Sequence, residues 1–152
     1  MNTDQEHLDK LDIEGIKLSS FNKRLLSFII DDILIGIIII ISLWSIIKDS
    51  NDAGFIISTI NKNIIYIFII KFLYHSLFIW YYGQTIGKMV LKIRAIELST
   101  LDNPNLVLSS IRSFSRLLFE FFFYVGFFFF FISPIRQTLH DKFGKIVIVD
   151  DI

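Results

Sequence analysis

Asp31 and Asp32 lie inside an apolar run at 25–47, Lys71 and His75 inside another at 64–82, and Glu120 near the start of a third at 117–133. A carboxylate at the centre of a membrane helix costs about 2.5–3.5 kcal/mol on insertion scales. Such a residue usually marks a partner or a water-filled cavity. Arg24 and Asp31 are seven positions apart, two helical turns, and so share a helix face. At 1.5 Å rise per residue, Asp31 falls about 9 Å inside the boundary, and Asp32 points about 100° away around the helix. Two chemistries follow. Asp31 can pair with Arg24 to fix the helix, or it can bind a cation or proton in transit. Asp32 is free in this reading to reach a basic loop residue. Lys71 and His75 are spaced i, i+4. The stem of Lys71 can snorkel, whereas His75 cannot. If the first two apolar helices are antiparallel, His75 comes to the depth of Asp31, where an imidazole beside a carboxylate can relay protons. Glu120 follows Arg116 by one turn, the spacing of a helical ion pair.

The loop Gly83-Gln84-Thr85-Ile86-Gly87-Lys88 superficially resembles a phosphate loop. The P-loop needs four residues between its glycines and a Ser or Thr after the lysine. Here three intervene and Met89 follows Lys88, so no nucleotide is expected. Gly83 reads instead as a helix end, Gly87 as a place of close backbone approach, and Lys88 as a headgroup contact. The histidines are His7, His75 and His140, with no HxxE or HxxxH spacing, and cysteine is absent. No metal site, thiolate chemistry or cofactor is expected. His140-Asp141 reads as a helix-end or turn contact rather than half of a catalytic set, and no enzyme is inferred.

These residues need elements to hold them. The chain has 152 residues, one domain's worth, and is 53% hydrophobic with 17 phenylalanines. A small soluble core cannot hide so much, so lipid is the expected solvent. Charge is balanced at 15 basic and 15 acidic residues, and the basic ones are dispersed, which argues against nucleic acid. Residues 1–20 form a polar segment, and the first apolar run starts too far from Met1 for a signal peptide. A span needs about 20 residues, with ~17 the lower limit. The runs 25–47 and 64–82 satisfy this, and 117–133 is marginal. Trp44 and Trp80-Tyr81-Tyr82 fit interfacial belts at opposite faces.

Lysine and arginine concentrate before the first run and in 83–116, which places both on the cytoplasmic side and 48–63 outside. A short strand pair is expected between about 90–98 and 145–150. Leu91 to Ala95 alternates and Lys145 to Val149 is β-branched. Pairing needs both on one side, so 106–133 is expected to enter and leave on the cytoplasmic side as a re-entrant helical segment broken at Gly126. A plain third crossing is the alternative. The fold class is therefore an α-helical membrane protein with two full transmembrane helices, a third marginal or re-entrant segment and a small cytoplasmic β-pair.

Arg24-Leu-Leu-Ser-Phe-Ile-Ile-Asp31, then Gly83 to Lys88, then Arg112, then Arg136-Gln-Thr-Leu-His140-Asp141-Lys-Phe-Gly144 with its closing strand, resemble in order and spacing the RDD family of small prokaryotic membrane proteins. The resemblance covers about 21–150. The arginine and two aspartates that name the family map onto Arg24, Asp31 and Asp141. Asp32, Ser27, Ile86 and Lys145 depart from the usual pattern without removing a named motif residue. The resemblance implies a multi-pass inner-membrane protein with Arg24, Asp31, Gly87-Lys88 and Asp141 clustered at the cytoplasmic side. Most members are uncharacterised and a few are similar to sodium/proton antiporters. Two function classes follow. One is transport of a small cation or proton, with Asp31, His75 and the polar residues Asp32, Lys71 and Glu120 as a pathway. Two or three spans enclose a pathway poorly, so this implies a homo-oligomer. The other is a scaffold or accessory subunit, in which Arg24, Asp31 and Asp141 form a structural lock and another membrane protein is the partner.

Overall fold

A computed structural model of the chain describes residues 3–121 and 129–151. The helices are α1 (Thr3–Ile13), α2 (Phe21–Ile47), α3 (Ala53–Lys62), α4 (Ile64–Tyr82), α5 (Ile86–Val90), α6 (Leu106–Phe121), α7 (Phe129–Ile132) and α8 (Leu139–Phe143). Two strands, β1 (Ile93–Glu97) and β2 (Ile146–Asp150), complete the set among the described residues.

Uninterrupted apolar sequence gives α2 and α4, which are long and apolar enough to cross a membrane. Their outer faces carry exposed Ile33, Ile37, Ile40 and Ile41 on α2 and Ile65, Ile69, Leu73 and Leu77 on α4. Ribbons of that size on a water-soluble surface would be a large apolar patch. Helix α6, packed along α4, is inside out. Ser109, Arg112, Ser113 and Arg116 recur at helical spacing and are buried, while Val107, Ile111, Phe114 and Leu118 on the other faces are exposed. A helix on an aqueous surface turns its apolar stripe inward. This one turns its charges inward, the arrangement that a lipid surrounding would favour. The expected break at Gly126 lies outside the described residues.

The strands pair antiparallel, with Ala95 opposite Ile148 and Ile93 opposite Asp150. Both faces of the ribbon are covered. Ile93, Ala95, Ile146 and Ile148 pack with Ile79 of α4, and Ile96, Val147 and Val149 pack with Leu11 of α1. Burial on both sides explains why Ile146 to Val149 is continuously apolar rather than alternating. Two elements were not expected. The polar N-terminal segment contains α1, which docks through Leu8 and Leu11. The connection between α2 and α4 contains α3, started by Asp52, whose carboxylate accepts from the Gly54 amide at 2.9 Å.

Candidate functional site: three linked clusters of buried charge

Asp31 grips the loop after α4. Its side chain is fully buried. One oxygen accepts from the Thr85 hydroxyl at 2.6 Å, the other from the Gly87 amide at 2.8 Å and the Tyr74 hydroxyl at 2.7 Å. Tyr74 in turn accepts from the Ile86 amide at 3.1 Å. Gly83 ends α4 in the left-handed region, φ 68°. Gly87 is needed because a Cβ there would overlap the Ser27 carbonyl oxygen and lie 2.9 Å from the Asp31 carboxylate.

Asp141 is the centre of the second cluster. It accepts a hydrogen bond from Arg112 Nε–H at 2.8 Å and lies 3.4 Å from Arg24 Nη1. It also forms the capping box of α8 with Thr138, so the helix-end reading of His140-Asp141 holds. Arg24 spends its remaining donors on the Ser19 hydroxyl at 2.7 Å and on the carbonyls of Arg136 at 2.6 Å and Ile148 at 2.8 Å. One guanidinium thereby ties α2 to the turn before α8 and to β2. Burial would raise the Asp141 pKa, but Arg112, His140 and Arg24 outweigh it and hold the carboxyl well below its usual range. Burial pushes the His140 imidazole down to about 3, leaving it neutral at pH 7.

A third cluster runs between the helices. Lys71 bridges Asp32 at 3.5 Å and Glu120 at 2.9 Å, and Glu120 also takes Arg116 at 3.2 Å, the expected i, i+4 pair. Arg116 stacks over the Phe28 ring, 4.6 Å from its centroid.

Several sequence expectations change here. Arg24 and Asp31 share a face but do not pair, because each finds a nearer partner on another element. Asp32 reaches Lys71 rather than a loop residue, and Lys71 turns inward rather than snorkelling. His75 does not adjoin Asp31. The neighbouring Tyr74 takes that direction on α4, and His75 Nδ1 sits 3.4 Å from Arg116 Nη1. Lys88 is not a headgroup contact but is buried, 4% exposed. Burial, reinforced by Arg112 and opposed by Asp31, pushes its ammonium down to about 7. Sequence reasoning gave no site role to Tyr74 or Arg112 and placed Arg116 only in a helical pair. The Ser109-Arg112-Ser113-Arg116 stripe was the signal available for two of them. Among the described residues no three His, Asp or Glu side chains converge as metal ligands.

A small, mostly helical chain with two candidate spans, an antiparallel strand pair and one buried Arg–Asp centre defines a class of membrane-type protein. The chain belongs to the RDD family, whose model matches residues 18–145. It is similar to the uncharacterized protein RP437 of Rickettsia prowazekii (strain Madrid E), 34% identical over 71 residues, which is 46% of this chain. The match spans 39% of that protein's length. No solved structure matches.

Proposed function

We propose that this protein is a multi-pass inner-membrane scaffold or accessory subunit, with both termini cytoplasmic, in which Arg24, Asp31 and Asp141 form a structural lock. The observation that carries this reading is saturation. Asp31 accepts two hydrogen bonds from the loop it holds and a third from Tyr74 of α4, and Arg24 is anchored to two backbone carbonyls and a hydroxyl. Groups so fully engaged have little left to offer an ion in transit. The lock fastens the α1–ribbon cap to the ends of α2 and α4. Because β1 precedes α6 and β2 follows α7, their pairing favours a segment that returns to the side it left. The broad lipid-facing surfaces of α2 and α4 offer contact to a second copy or to another membrane protein.

Transport of a small cation or proton is the second reading, favoured by Asp32-Lys71-Glu120. These side chains retain 28%, 21% and 10% exposure while lying between helices. Purified protein in proteoliposomes separates the two. The lock reading expects cation and proton flux no faster than in empty vesicles, and a lower folded yield for Asp31→Asn. Flux well above empty vesicles, lost in an Asp31→Asn protein that folds normally, would replace it with the transport reading.

A further inference from the structure

Between α2, α5, α6 and α8 lies a cavity of about 20 Å³ lined by Arg24, Lys88, Arg112, Arg116, Thr138 and Asp141, among others. That is room for about one water-sized particle. Its chemistry is lopsided. Arg112 Nη1 and Arg116 Nη2 are buried with no hydrogen-bond partner among the described residues. Arg112 and Arg116 are 2% and 3% exposed. Among the described residues the Lys88 ammonium has a single long contact, 3.4 Å to the Thr85 hydroxyl, which itself donates to Asp31. The one lining carboxylate among the described residues, Asp141, is already engaged by Arg112, Arg24 and the Thr138 amide.

Charge tells the same story. The linked clusters hold five cations, Arg24, Lys71, Lys88, Arg112 and Arg116, against four carboxylates, Asp31, Asp32, Glu120 and Asp141. Buried charge in excess is costly unless a counter-charge accompanies it. A water here could donate to Asp141 or the Thr138 hydroxyl, but it would bring no negative charge to the clustered cations. A phosphate or a lipid headgroup is too large for the space. We propose that the cavity binds one small monovalent inorganic anion, such as chloride, held by Lys88, Arg112 and Arg116. Burial that pushes the Lys88 ammonium down toward neutrality is what a neighbouring anion would relieve. The inference goes beyond the lock reading and does not depend on it.

The test uses the full chain in detergent, titrated with sodium chloride against sodium gluconate at constant ionic strength, with chloride NMR line width as the readout. Saturable broadening that bromide competes away is expected, with affinity about tenfold weaker in Lys88→Met. Absence of saturable broadening in the wild type, or equal affinity in a folded Lys88→Met, overturns the proposal. Should that variant not fold, bromide-soaked crystals of the wild type decide. An anomalous peak within hydrogen-bond reach of Lys88 and Arg112 supports the site, and bromide found only elsewhere overturns it. A negative result leaves the lock intact, since the lock rests on contacts that need no ligand.

Discussion

Asp31 and Asp32 are adjacent carboxylates on one helix with opposite surroundings. Asp31 is 0% exposed and, among the described residues, accepts from neutral donors, the Tyr74 hydroxyl of α4 and the Thr85 hydroxyl and Gly87 amide of the loop that follows it. Asp32 keeps 28% of its side chain exposed and, among the described residues, meets a single flexible ammonium at 3.5 Å. The same contrast separates the clusters they belong to. Around Asp141 and Arg24 the partners are largely backbone groups and rigid guanidinium forks, which fix geometry. Along Asp32, Lys71 and Glu120 the partners are long side chains that can exchange. Charge type alone therefore does not assign a role. The number and rigidity of partners does.

Breaking the Asp141 centre should have the largest effect. Asp141→Asn leaves Arg24 and Arg112 buried without their counter-charge and should cost about 3–5 kcal/mol, read by chemical unfolding in detergent. Asp31→Asn keeps the shape but removes the charge that strengthens three hydrogen bonds. A loss of about 2–3 kcal/mol is expected. Gly87→Ala should weaken the same grip by about 1–3 kcal/mol through overpacking. A Gly87→Ala protein as stable as wild type would mean the loop is not held as described.

The pH dependence sharpens the comparison from another side. Lys88 faces Asp31 on α2, Arg112 and Arg116 on α6 and Asp141 on α8. Its pKa is lowered from 10.5 to about 7, so the unfolded chain binds more protons between those values. Stability should therefore rise as pH climbs from about 7 toward 10.5, and this slope should vanish in Lys88→Met. His140, lowered from 6.5 to about 3, makes stability fall as pH drops through that window. The smallest effect belongs to the interhelical cluster. Asp32→Asn should change stability by no more than about 1 kcal/mol, as for partly exposed ion pairs.

The two long helices and the ribbon were legible because long apolar runs and short β-branched runs are local signals. The expected strands at about 90–98 and 145–150 appear as Ile93–Glu97 and Ile146–Asp150. Partner choice was not legible. Seven-residue spacing correctly put Arg24 and Asp31 on one face, but which group each side chain meets depends on elements far along the chain. Arg24 bonds Arg136 and Ile148, more than a hundred positions away. Lys88 was misread for the same reason. Its loop looks like a boundary segment, and only the arrival of α6 and α8 over it buries the ammonium. The α1 helix escaped notice because Leu8 and Leu11 are too few to stand out among polar neighbours.

The central claim is that the Arg–Asp constellation holds the structure together while the neighbouring interhelical charges do not. Unfolding free energies of Asp141→Asn and Asp32→Asn, measured side by side in the same detergent, test it most directly. The account predicts a loss of about 3–5 kcal/mol for the first and no more than about 1 kcal/mol for the second. Equal stabilities for the two variants, or a larger loss for Asp32→Asn, would contradict it.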